Sequence, residues 1–167
     1  MTSAIASLGE MNEQSLAFLE GYLMSLSADQ RSIIKGRQII ADFFCADAHN
    51  ANLCASLTLN DEKRATCGLG LLYDLGQNDQ MNVGDLLIVQ NWDRMPVCIV
   101  EFTEIRRVPF KDVDADFARA EGEGDKSHSW WRKVHWAFFE RELSELGKDM
   151  SEDAEIVTER FHRVWPR

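Results

Sequence analysis

Lys63 and Thr66 stand three residues apart where an apolar helical pattern gives way to strand-like runs, and Lys63-Arg64 is the one adjacent basic pair in the first half of the chain. A lysine at such a joint offers a point charge for a phosphate or, if desolvated, a general base. The Thr66 hydroxyl is close enough in a turn to share a site with it. A solvated turn lysine beside a strand threonine is the plain alternative. The second group is the run Glu121-Gly122-Glu123-Gly124-Asp125. It reads as a solvated loop, a metal site, or a loop carrying a general acid or base. Alternating carboxylates and glycines resemble the start of a calcium loop, but the ligand run stops at Ser127 and no bidentate glutamate follows at the needed spacing. Third, Trp131 and His135 are four apart and share a helix face, with Arg132 one position round. One ring of Trp130-Trp131 belongs in a core and the other could stack on a base. His135 is either a core or capping histidine or a ligand-facing one. His49, His128 and His162 have no cysteine or carboxylate at metal-ligand spacing, so no metal site is expected. Phosphate-loop, dinucleotide, serine-hydrolase and zinc-protease motifs are absent.

These groups need elements to hold them. Asn12 followed by Leu16, Leu19, Leu23 and Leu26 predicts an amphipathic opening helix. A second helix follows, and Ile33–Phe44 and Ala48–Leu59 read as two further helical stretches. Short strands are expected at Ala65–Leu72, Leu86–Gln90 and Val97–Ile105, the last two joined by a tight connection over Asn91–Pro96. Phe110–Ala120 is a short helical or irregular crossover. Ser127 caps a long helix to Leu146, ended by Gly147, with Trp136, Phe139, Leu143 and Leu146 on one stripe and Trp130, Val134 and Ala137 beside it. A last strand, Glu155–Trp165, is expected to close a barrel.

The chain has 167 residues, of which 45% are apolar, enough for a core that requires no metal or disulfide. Its 28 acidic against 18 basic residues give a net charge of −10, which disfavours duplex DNA as a partner and confines any nucleotide site to a local cluster of positive charge. Cys45, Cys54, Cys67 and Cys98 form no CxxC pair and read as free thiols packed in apolar segments. No apolar run is long enough for a membrane helix and no leader pattern opens the chain, so a cytoplasmic protein is expected.

Taken in order, Lys63-Arg64-Ala65-Thr66, Val83-Gly84-Asp85, Pro96-Val97-Cys98-Ile99, Val108-Pro109-Phe110-Lys111-Asp112-Val113, Ala120 through Ser127, and Trp131-Arg132-Lys133-Val134-His135-Trp136 resemble the ASCH domain family over roughly residues 40–165. The resemblance implies an α+β fold, a PUA-like small mixed β-barrel with flanking helices, preceded by a helical extension over residues 1–39 that packs on the barrel. Residues 40–167 would be the ASCH domain. It also implies a cleft for single-stranded RNA or a modified nucleoside. Some members of the family remove the acyl group of N4-acetylcytidine, and others cleave single-stranded RNA. By motif, the catalytic residues fall on Lys63, Thr66 and Glu121, with Arg64, Tyr73, Glu123, Trp131, Arg132 and His135 as substrate contacts. Asp61 and Gly68 stand where the family often has glycine and arginine. For the amide, Lys63 would activate Thr66 while Glu121 manages the leaving amine. For RNA, Glu121 or His135 would take the 2′-hydroxyl proton, Lys63 would stabilise the phosphate, and Trp131 or Tyr73 would stack a base. Neither route demands a metal or other cofactor. The alternatives are a non-catalytic RNA- or nucleotide-binding module and a coactivator-like domain whose partner is a protein.

Overall fold

The structure is a computed structural model that describes residues 11–167; the first ten residues of the expected amino-terminal extension lie outside the described residues. Its elements in chain order are α1 (Glu13–Ser25), α2 (Ala28–Ile34), β1 (Ile39–Asp42), α3 (Ala48–Leu59), β2 (Ala65–Leu69), α4 (Gly70–Asp74), β3 (Leu86–Gln90), β4 (Pro96–Pro109), α5 (Ala115–Glu121), α6 (His128–Glu145) and β5 (Glu155–Trp165). The strands form one mixed sheet in the order β1-β3-β4-β5-β2. β1 runs parallel to β3, and the β3–β4 and β2–β5 pairs are antiparallel. The chain is α+β, and it divides into two compact units.

The first unit holds the described residues up to Asp61, Met81–Thr103 and Phe161–Arg167. Asn12 caps α1 as its spacing predicts, its side chain accepting from the Ser15 amide. Leu19, Tyr22 and Leu26 then turn onto Ile39, Leu86, Ile88 and Ile99. The expected helix over Ile33–Phe44 is corrected. Gly36, at φ +89°, breaks the backbone after α2, and the β-branched pair Ile39-Ile40 aligns with Leu86 and Leu87. The thiols also differ from expectation: Cys54 and Cys98 are buried, but Cys45 is exposed, with its Sγ 3.4 Å from that of Cys54.

The second unit holds Glu62–Gln80 and Glu104–Arg160. Its core gathers Ala65 and Leu69 of β2, Phe110, Phe117, Trp131, Phe139, Leu143 and Ile156. The strand expected to reach Leu72 stops at Leu69, because Gly70 opens α4 with Glu155 Oε1 only 2.6 Å from where a Cβ would stand. Ser127 caps α6, accepting from the Trp130 amide. The buried stripe of that helix is Trp131, Phe139 and Leu143, whereas Val134, placed beside the stripe by pattern, is 40% exposed. β5 has its predicted bounds, but it lies between β4 and β2. No helix among the described residues is long and apolar enough to cross a membrane.

Candidate functional site

α5 is short because its last residue is followed by Gly122 in the left-handed region, at φ +74°. No other residue fits there. A Cβ on Gly122 would lie 2.4 Å from the Glu62 carbonyl oxygen and 3.0 Å from the Lys63 amide, so the segment entering β2 packs directly on the end of α5. The Arg64 amide donates to the Ala120 carbonyl at 2.6 Å, and Lys126 Nζ ties Glu62 from the far side of the loop at 2.8 Å. This local backbone fit brings Lys63 to Glu121 across 58 residues of chain.

Lys63 Nζ donates to Glu121 Oε2 at 2.8 Å and to Glu123 Oε1 at 2.6 Å, with the Lys63 and Glu121 side chains 1% and 2% exposed. The run Glu121 to Asp125 is therefore not a uniformly solvated loop. Only its far end, Gly124 and Asp125, is exposed, and Asp125 accepts from the Ser127 amide. α6 closes the cluster. The Trp131 indole N–H donates to Glu121 Oε1 at 3.4 Å, and one turn on, His135 Nε2 lies 3.7 Å from the same oxygen. His135 Nδ1 is 3.0 Å from the Trp131 carbonyl oxygen, which fixes the ring with its other nitrogen toward the carboxylate. Burial on its own pushes the Glu121 carboxyl up. The Lys63 ammonium, His135 and the hydrogen bonds from Cys67 and Lys63 outweigh it and hold the group below the ordinary carboxylate range.

Cys67, which sequence reasoning counted as packing, belongs to this cluster. Its thiol donates to Glu121 and is pushed well up, first by burial and then by that carboxylate. Cys67, Glu121 and His135 present ligand atoms within 4.8 Å of one another, a donor set of metal-binding type. The Lys63 ammonium already occupies the electrostatic role a cation would take beside Glu121.

Strand alternation separates the remaining predicted residues from this cluster. Ala65, Cys67 and Leu69 face the core of the second unit, which turns Thr66 to the opposite side of β2. There its cross-strand partner is Glu159, while Cys67 pairs with Thr158. Glu159 is 5% exposed and hydrogen-bonded to the Tyr73 hydroxyl. Burial raises its carboxyl to about 7, against the opposing pull of that hydrogen bond. Burial and then Glu159 hold the Tyr73 hydroxyl well above its ordinary range. Sequence reasoning missed Glu159, though a signal was present: it interrupts an inward apolar row, Val157, Glu159, Phe161, of which all three are buried.

Two expected roles change with these positions. Two carboxylates within 2.8 Å of Nζ favour the ammonium, which has no lone pair, and Thr66 faces away across β2, so Lys63 reads as a positive charge and donor rather than as the base for Thr66. Trp131 is 1% exposed, with His135 stacked at 4.3 Å and Phe110 at 5.4 Å, so its ring is covered and only its N–H serves the site. Arg64 is exposed, and Arg132 pairs with Glu152 at 2.5 Å over the Phe110 ring. An open cavity of about 390 Å³ in the first unit is lined by Tyr22, Leu26, Ile33, Arg37, His162 and Arg167 among others; none of the predicted site residues lines it.

The ASCH domain family model matches residues 40–165. The chain is similar to a crystal structure of an ASCH domain from Lactobacillus crispatus, with 44% identity, a TM-score of 0.87, and coverage of 93% of this chain and 96% of that one. A protein of known structure from Enterococcus faecalis shares the fold at 21% identity and a TM-score of 0.74, covering 91% of this chain and 88% of its own. No curated relative matches the chain. The ordered motifs from Lys63 to Trp136, the family match over the same span, and the agreement of the fold along nearly the whole chain place this protein in the ASCH domain family, with its PUA-like architecture.

Proposed function

We propose that this protein binds single-stranded RNA or a nucleoside derived from it and hydrolyses it without a metal, acting on N4-acylated cytidine or on the RNA strand. The observation that carries the reading is the buried Lys63 ammonium held between Glu121 and Glu123, while the half-buried Thr66 stands on the opposite face of the same strand entry. Burying the Lys63–Glu121 ion pair is costly, and well-packed apolar residues would often stabilise the fold as well. A charged cluster kept at this cost fits a site that handles developing charge. Family membership supports an RNA-type ligand, and in this reading residues 40–167 carry the site while residues 1–39 are an extension.

The test is incubation of the purified protein, with EDTA present, against N4-acetylcytidine and a short single-stranded RNA, with products read by mass. Release of cytidine, or of RNA fragments, lost in Lys63→Ala and Glu121→Ala, is the expected outcome. No product from either substrate would remove catalysis and leave a binding module. The second reading, a protein-contact domain, draws on the amino-terminal helices, where Met24 and Ile33 are 81% and 63% exposed. It requires a protein partner whose binding survives Lys63→Ala.

A further inference from the structure

We propose that Glu159 is the group that takes the hydroxyl proton of Thr66, with Tyr73 holding it in place. This rests on the hydrolase reading above and assigns it a base that neither the motifs nor the Lys63 cluster supplies.

Thr66 and Glu159 are register partners in the antiparallel β2–β5 pair, so their side chains leave the sheet on one face. Directly opposed Cβ atoms in such a pair lie about 4.5–5.5 Å apart, within reach of a glutamate and a threonine. The neighbouring position on that face is Gly68. A Cβ there would come 3.1 Å from the Tyr73 ring, 3.3 Å from its hydroxyl and 3.2 Å from Asn78 Nδ2, so the glycine leaves room for Tyr73 to lie across the strand toward Glu159. Thr66 is the half-buried member of the group and Glu159 the buried one, as suits a nucleophile that meets substrate and a base behind it. Burial and the Tyr73 hydrogen bond are the influences on the Glu159 carboxyl, while Arg107 and Cys67 act on Tyr73. A carboxyl raised to about 7 exchanges its proton at neutral pH, as a general base must.

On N4-acetylcytidine the step balances with these groups and water. Thr66 Oγ adds to the acetyl carbonyl carbon as its proton passes to the Glu159 carboxylate. The carbon–nitrogen bond breaks, the cytidine amine leaves with that proton, and a threonine acetyl ester remains. Water adds to the ester as Glu159 takes its proton; the ester bond breaks, the proton returns to Thr66 Oγ, and acetic acid departs. Glu159 ends as it began. Lys63 takes no proton in this sequence.

The experiment is the rate of N4-acetylcytidine hydrolysis between about pH 5 and 9 for the full chain, Glu159→Gln and Tyr73→Phe, with proton-transfer effects of about 100- to 10,000-fold as the scale. Glu159→Gln is expected to lower kcat within that range while KM stays within a few-fold. Tyr73→Phe removes the interaction that lowers the Glu159 carboxyl, so the acidic limb of the profile moves to higher pH, a shift that a purely structural tyrosine would not give. A Glu159→Gln protein with unchanged kcat and limb, beside an active unsubstituted chain, overturns this assignment alone; an inactive unsubstituted chain overturns the hydrolase reading with it. Carbon NMR of glutamate-labelled protein gives a readout independent of turnover and of the fate of the variants. One carboxyl titrating near 7 supports the assignment, and none titrating there contradicts it.

Discussion

At the scale of single residues, the decisive feature is that Lys63 and Glu121 neutralise each other almost out of contact with water. Removing one partner of such a pair strands the other's charge, at a cost of about 3–5 kcal/mol. Lys63→Met is therefore predicted to lose stability of that order near pH 7, read from urea unfolding, and loss of activity in that variant needs a check that the chain is folded. Glu159 has the opposite linkage. Its folded carboxyl stands at about 7 against an ordinary 4.5, so as pH rises from 4.5 through 7 the unfolded chain ionises first and stability falls. A rise of this size corresponds to about 3 kcal/mol. Glu121, held below the ordinary range, stabilises above that range and loses this only as pH falls through its folded value, so the two effects occupy separate windows. Relative to the unsubstituted chain, Glu159→Gln is predicted to gain stability between pH 5 and pH 8, measured as urea midpoints at the two values; equal midpoints at both would contradict the linkage. Lys63, Glu121 and His135 were candidates by residue type and by the family resemblance, and the structure brings them together. Cys67 and Glu159 were not singled out, because their significance lies in what faces them across a sheet and a helix.

At the scale of elements, the site depends on one backbone fit: the end of α5 against the segment that enters β2. Gly122→Ala would place a methyl group 2.4 Å from a backbone oxygen at a φ of +74°. Left-handed backbone alone costs an L-residue about 1–2 kcal/mol, and the contact adds to it. The variant is predicted to lose more than about 2 kcal/mol in urea unfolding and to separate Lys63 from Glu121. Elements with long periodicity or a clear cap were readable in the sequence: α1 behind Asn12, α6 behind Ser127, and the alternating β5. The run Ile33–Phe44 was not, because a four-residue strand within an apolar stretch carries no period of its own. Its parallel pairing with β3, distant in sequence, is what makes it a strand.

At the scale of the molecule, a net charge of −10 disfavours gathering a long polyanion, so the proposed recognition would rest on a small local site. Binding of an uncharged nucleoside is therefore predicted to vary little with salt. Charge was read from composition and the α+β class from the family resemblance; the division into two cores was in neither, because each unit collects segments far apart in the chain. The most direct test of the proposed hydrolysis is to remove its proposed nucleophile without disturbing a buried charge. Thr66→Ala does this, and its N4-acetylcytidine turnover by mass should be measured beside its cytidine affinity by calorimetry. Turnover lost with affinity within a few-fold of the unsubstituted chain is the expected result, whereas turnover in Thr66→Ala equal to that of the unsubstituted chain, or no turnover in either, would contradict a hydrolytic Thr66.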